Sequence, residues 1–251
     1  MSSVLKKISE CVTNPKTRFM YMSRLGIYNK WSDEKYLKKL YFLNFGKKLD
    51  LGNPKTFNEK LQWLKIHDRK PEYTTMVDKY AVKKYVADKI GEEYIIPTLG
   101  VWERFDEIDF DELPDQFVLK CTHDSGGLAI CKDKRTFDIK AAREKIEKSL
   151  KRNYYWSGRE WPYKNVPPRI IAEKYMTQIE GEDLNDYKLM CFNSKVKATF
   201  VCSNRFSPDG LNVTFYDTEW NRMPFERYYK AATNDVVKPK SYEEMVAIAE
   251  K

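Results

Sequence analysis

A lysine inside an apolar run constrains this chain more than any other feature. Phe117-Val118-Leu119-Lys120-Cys121 has the length and character of a buried strand. An unpaired ammonium in a core is very costly, so Lys120 needs an anion beside it or a path to water. His123-Asp124-Ser125-Gly126-Gly127 follows almost at once, and Leu128-Ala129-Ile130-Cys131 returns as a second strand. The stretch therefore predicts a β-hairpin with a glycine-containing loop. Two readings of it stand side by side. In one, Ser125, Gly126 and Gly127 offer backbone amides that cradle phosphates whose charge Lys120 neutralises. In the other, Lys120 snorkels along a sheet edge and the glycines serve only the turn.

The rest of the chain alternates helical and strand signals. Residues 1–50 read as helical and basic. Thr56 with Glu59 forms a capping box and starts a helix that buries Leu61, Trp63 and Leu64 in part. A second helix is predicted from Asp78 to Ile90 with Gly91 as its left-handed stop, and Tyr94-Ile95-Ile96-Pro97 reads as a short strand or the extended entry to one. Asp138 caps an amphipathic helix to about Arg152, and 169–176 reads as another strand. Hairpins are expected over 186–204, turning at Asn193-Ser194, and over 212–223, and Ser241 with Glu244 reads as a second capping box. Hairpins mixed with helices indicate an α+β fold with largely antiparallel sheets. The sequence divides into an N-terminal helical region, 1–100, and a nucleotide-binding region, 101–251.

Composition narrows the partners. With 45 Lys and Arg against 37 Asp and Glu, the net charge is +8, which suits a polyanion without choosing one. The basic, aromatic segment Lys16 to Lys48 is a candidate contact with a membrane face. Five cysteines form no CxxC pair, and four lie in or beside apolar runs, where buried free thiols are expected. With only His67 and His123 as imidazoles, a zinc site is not expected. No signal peptide and no apolar stretch of membrane-spanning length stands out, so the expectation is a cytoplasmic protein, at the inner membrane face if that segment docks.

Three further groups could carry chemistry. Glu173-Lys174-Tyr175-Met176 closes an apolar strand and could border an adenine, or be an ordinary exposed strand end. Asp186 and Lys188 share a strand face, with Arg205 beyond the end of the partner strand. That arrangement suits a polyphosphate or equally a salt-bridged surface. The segment Lys151 to Trp156 could stack single-stranded nucleic acid, though a half-buried helix end fits it better.

In order, NPKTFNEKLQWLK at 53–65, DKYAVKKYVADKIGEEYIIPTLGVW at 78–102, LPDQFVLKCTHDSGG at 113–127, IIAEKYM at 170–176 and DYKLMCFNSKVK at 186–197 resemble the ATP-grasp superfamily. The resemblance is strongest to its TupA-like branch, associated with teichuronopeptide and cell-surface polysaccharide synthesis. It implies an ATP-grasp fold, with two α+β subdomains gripping a nucleotide, and ATP and Mg2+ as cofactors. It implies a ligase that joins an acidic saccharide or peptide acceptor to an amine donor through an acyl-phosphate. By position, Lys120 would contact the α/β-phosphates, and His123, Ser125, Gly126 and Gly127 would close over them. Glu173, Lys174, Tyr175 and Met176 would border adenine, with Glu182 on the ribose, and Lys188 and Arg205 would face the γ-phosphate. Lys79 is a weaker candidate. The branch carries its magnesium-binding carboxylates in blocks resembling RVDFY and FGELTF. Neither occurs here, so no metal ligand is assigned and the sequence reads as ending before them. The rival readings are a glycosyltransferase-like or kinase-like enzyme of the same pathway and a basic nucleic-acid-binding protein. No nucleic acid is expected as partner under the main reading.

Overall fold

A computed structural model describes residues 12–176, 184–205, 207 and 210–251. The chain folds as two compact units, one formed by residues up to 86 with 95–174, the other by 87–94 with 175–251. A boundary at residue 100 would fall inside a strand of the first unit.

The first unit opens with helices α1 (Pro15–Arg24) and α2 (Asp33–Phe45). Asn14 caps α1 by accepting hydrogen bonds from the Lys16 and Thr17 amides, and Ser32 caps α2 through the Lys35 amide. Their apolar faces close on Phe19, Tyr36, Leu37, Tyr41 and Leu49. Helix α3 (Phe57–His67) starts at the capping box expected of Thr56 and Glu59, with both reciprocal bonds made. Its Leu61, Trp63 and Leu64 are buried only in part, and the helix has no fully buried residue. After α4 (Glu72–Val77), Asp78 caps α5 (Ala81–Ile90), which ends at Gly91 with φ +111°.

No strand covers 94–97; of the two readings, residues 95–97 serve as the entry to one. Glu92–Tyr94 is a 3-10 turn and β1 is Thr98–Trp102, because Pro97 accepts from the Lys174 amide and leads the chain into the sheet edge. Strands β2 (Phe117–Cys121), β3 (Leu128–Cys131) and β4 (Ile170–Lys174) complete an antiparallel sheet in the order β1-β4-β2-β3. Residues Phe117, Leu119 and Cys121 alternate into a core shared with Ile170, Ala172 and Ile146. Ile146 comes from α6 (Ile139–Leu150), capped by Asp138 as the sequence indicates. The opposite face of the two central strands carries Lys120 and Glu173.

A short helix, α7 (Tyr155–Gly158), ties the N-terminal helices to this unit. Arg159 follows it at φ 53°, almost fully buried, with its guanidinium 4.5 Å from the Tyr36 ring and 4.6 Å from the Trp156 ring. It donates to the Tyr28 carbonyl at 2.7 Å and lies 3.7 Å from Asp33, which also holds Arg69 at 2.5 Å and the Tyr155 hydroxyl. Burial and that hydrogen bond to Asp33 push the Tyr155 phenol up to about 12. Trp156 is thus engaged by Arg159, which leaves the 151–156 segment a packed helix end.

In the second unit β5 (Asp186–Phe192), β6 (Lys195–Ser203) and β7 (Asn212–Tyr216) form an antiparallel meander. Asn193 and Ser194, at φ 50° and 58°, make the expected two-residue turn. Only the first arm of the hairpin expected at 212–223 is a strand; the return is a single bridge from Tyr216 to Arg222. Helix α8 (Tyr242–Ala249) follows Ser241, but the capping box does not form, because Ser241 sits at φ −91°, ψ 15° and its side chain accepts no cap bond. The helix is anchored by buried Tyr242, whose hydroxyl meets Thr199 Oγ1 at 3.0 Å. The free thiols Cys121, Cys131 and Cys202 are buried as expected; Cys191 is exposed, with its thiol 3.5 Å from the Ala249 carbonyl. Both units mix helices with antiparallel sheets, the α+β class read from the sequence.

Arg159→Met should lower stability by about 3 kcal/mol, the range for breaking a buried ion pair. Urea denaturation followed by tryptophan fluorescence reads this, and a loss under about 1 kcal/mol would contradict the anchoring role given to Arg159.

Candidate functional site

Antiparallel pairing sets Lys120 opposite Ile171 and Val118 opposite Glu173, so Lys120 and Glu173 are diagonal neighbours on one sheet face. Their ammonium and carboxylate meet at 2.5 Å. The other oxygen of Glu173 takes Lys83 of α5 at 2.6 Å, and Lys83 also donates to the Ile96 carbonyl at 2.6 Å. Glu173 is 5% exposed and Lys83 nearly as enclosed, whereas a third of the Lys120 side chain reaches solvent. Burial would raise the Glu173 carboxyl pKa, but the hydrogen bonds and charges of Lys120 and Lys83 outweigh it and hold the carboxyl below its ordinary range. The stabilisation this gives is present above the ordinary glutamate pKa of about 4.3 and is lost as pH falls through the lower folded value. Two cations on one carboxylate leave an excess positive charge, with Lys120 as its accessible end.

The glycine loop stands beside this cluster at the end of β2. Its residues divide into an inner and an outer set. His123, Asp124 and Gly127 are buried, while Ser125 and Gly126 form an exposed tip. Asp124 accepts from Ser149 Oγ and from the Gly127 amide at 3.4 Å. His123 Nε2 donates to the Ser149 and Arg152 carbonyls at 3.2 and 3.0 Å, closing the C-terminal end of α6. Lys79 donates to the Cys121 carbonyl at 3.0 Å and to the Asp124 carbonyl, so one ammonium holds both ends of the loop's first half. Burial pushes the Lys79 ammonium down and the Cys121 thiol up to about 11. Asp78, beside Lys79, accepts from Arg169 at 2.6 Å, and Arg169 lies 4.9 Å over the Tyr80 ring.

The sequence candidates therefore fare differently. Lys120 and Glu173 come together on one sheet face of the first unit, and Ser125 and Gly126 form the exposed tip of the loop that follows β2. His123 and Gly127 turn inward and serve the packing of the loop. Lys174 is exposed and gives its amide to Pro97; Tyr175 is half-buried and Met176 exposed. In the second unit Asp186 gathers Arg205 and, at 3.9 Å, Lys188, all on exposed surface. Glu182 lies outside the described residues. Lys83, Ser149 and Arg169 were not singled out by the sequence, and Asp124 only as a member of the loop. The only local signal for Lys83 is its place in the helix opened by Asp78-Lys79.

A family model, TupA-like ATPgrasp, matches residues 59–251. The chain belongs to the TupA-like ATP-grasp family. No curated protein and no solved structure matches it. Membership implies an enzyme with ATP as a substrate, and the cationic face of β2 and β4 accords with that. Magnesium accompanies ATP in this superfamily. Among the described residues no group of three His, Cys, Asp or Glu side chains is gathered. Asp186 is committed to its cations, and Asp217 caps its own turn through the Glu219 and Asn221 amides.

The inner half of the loop leaves no room for a side chain at position 127. A Cβ on Gly127 would lie 2.7 Å from Cys121 Sγ and Ser149 Cβ, and closer still to Ser149 Oγ. Gly127→Ala should destabilise the protein by about 1–3 kcal/mol through overpacking. Chemical denaturation measures it, and unchanged stability would show that the Asp124–Ser149 packing does not fix the loop.

Proposed function

We propose that this chain is the nucleotide-binding part of an ATP-dependent carboxylate–amine ligase acting on cell-surface polysaccharide precursors. The observation that carries the reading is the Lys83–Glu173–Lys120 cluster beside the exposed Ser125-Gly126 tip. Lys120, with Lys83 behind it, neutralises the α- and β-phosphates, and the tip amides lie over them. Glu173 holds both ammoniums in place. The end of β4 with Lys174, Tyr175 and Met176 borders the adenine, with Glu182 on the ribose. Lys188 and Arg205, held together by Asp186, serve the transferred phosphoryl group. Lys79, buried under two carbonyls, supports the loop and is not proposed as a ligand.

In the reaction a carboxylate oxygen of the acceptor attacks the γ-phosphorus and ADP leaves with the bridging oxygen. An amine then attacks the acyl carbon, phosphate departs, and the amine loses a proton to give an amide. Such a transfer rests on positioning and charge neutralisation, the work assigned to these cations. The acceptor is an acidic saccharide or peptide, which suits the net charge of +8. A substrate destined for the surface is handled at the inner face of the membrane in this reading.

The test supplies ATP, magnesium, a uronic acid and hydroxylamine as the amine. The ligase reading expects ADP and a hydroxamate, each dependent on the carboxylate. A stable phosphoester formed without amine would establish a kinase, and turnover of a nucleotide sugar in place of ATP a glycosyltransferase.

A further inference from the structure

The outward face of α2 differs from an ordinary solvated helix face. Tyr36, Leu37 and Tyr41 turn into the core, and the opposite side carries Lys35, Lys38, Lys39, Phe42 and Phe45 at the spacing of one continuous helical stripe. Phe42 is 49% exposed and Phe45 46%, although two phenylalanines so placed gain nothing from water. A groove of roughly 520 Å³ runs beside the stripe, walled by Trp31, Phe42 and Leu49 and by four lysines, 35, 38, 39 and 48.

Charge is concentrated on this part of the chain. Residues 12–48 hold nine Lys and Arg against Asp33 and Glu34, a net +7 of the chain's +8. Of the two acids only Glu34, paired with the groove lysine Lys38, offsets the outer surface. Asp33 points to Arg69, Tyr155 and Arg159, and Glu34 is taken by Lys38 at 2.6 Å. Among the described residues Lys35, Lys39 and Lys48 have no carboxylate partner. No helix among the described residues is long and apolar enough to cross a membrane.

We propose that this face docks on an anionic phospholipid bilayer. The lysines meet lipid phosphates along the groove, and Phe42 and Phe45 enter the boundary between headgroups and acyl chains. A cationic surface with a few protruding rings binds by charge attraction and shallow apolar burial together. A single-stranded nucleic acid fits less well. It needs open aromatic faces for stacking, and Lys35 covers Trp31 at 4.4 Å while Lys39 lies 5.9 Å over Phe42. This proposal concerns α2 and does not depend on the ATP reading.

The test is sedimentation of the full chain with vesicles of phosphatidylcholine alone and of phosphatidylcholine with phosphatidylglycerol in equal parts, at low and high salt. Binding should require phosphatidylglycerol and weaken with salt. Lys35→Ala, Lys39→Ala and Lys48→Ala combined should lose at least tenfold in affinity, since each lysine contributes roughly fivefold near an anionic surface. Phe42→Ser with Phe45→Ser should also weaken binding, with circular dichroism unchanged because both rings are exposed. Equal binding to neutral vesicles, unaltered binding by either variant, or no binding would overturn the proposal. So would tighter binding to a single-stranded RNA that ignores the phenylalanines, which would assign the face to nucleic acid.

Discussion

The first unit is organised around one carboxylate shared by two ammoniums. Glu173 lies at the end of a central strand and is almost closed off from water, where an isolated charge could not be sustained. Lys120 reaches it from the neighbouring strand and Lys83 from helix α5. The three groups thereby fix the register of β2 against β4 and the position of α5 against both. Removing either lysine would leave the carboxylate underpaired, and removing Glu173 would leave two cations facing each other. The same arrangement that stabilises the sheet leaves a net positive charge whose exposed end is Lys120.

A second layer of buried polar contacts decides which part of the glycine loop is available. Asp124, Ser149, His123 and Lys79 bind the inner half of the loop to α6 and to the end of β2. These bonds consume the Gly127 amide and the imidazole Nε2–H. Ser125 and Gly126 are left outside, with Gly126 at φ +119°, a conformation that side chains rarely adopt. The two glycines thus serve different ends: Gly127 is required by packing and Gly126 by backbone conformation. In the proposed nucleotide site this gives a stiff support carrying a small accessible tip, close to the preorganisation that charge-stabilising sites need.

The sequence made much of this legible where the determinants are local. Lys120 in an apolar run needs an anion or a path to water, Thr56 and Glu59 form their capping box, and Asn193-Ser194 turns a hairpin in two residues. The misses have a common physical origin. Lys83 becomes significant only through Glu173, ninety residues away, and nothing in a helical lysine announces such a partner. Residues 94–97, read as a short strand or the entry to one, precede β1 at 98–102, because the sheet edge, set by β4, decides where pairing begins. Ser241 matches the capping pattern, yet anchoring by Tyr242 determines how that helix starts. His123 reads as a loop histidine, and only the approach of α6 shows that it closes a helix end. The family resemblance was carried by blocks in order, and family membership rests on the matched region 59–251.

The central claim is that Lys120, oriented by Glu173, receives the phosphates of ATP. Calorimetric ATP affinity of the wild type and of Lys120→Ala tests it most directly. The account predicts a loss of about 1.5–3 kcal/mol, the range for a hydrogen bond to a charged group. Binding of ATP by the wild type with the same affinity in Lys120→Ala would contradict it and move the nucleotide away from this face.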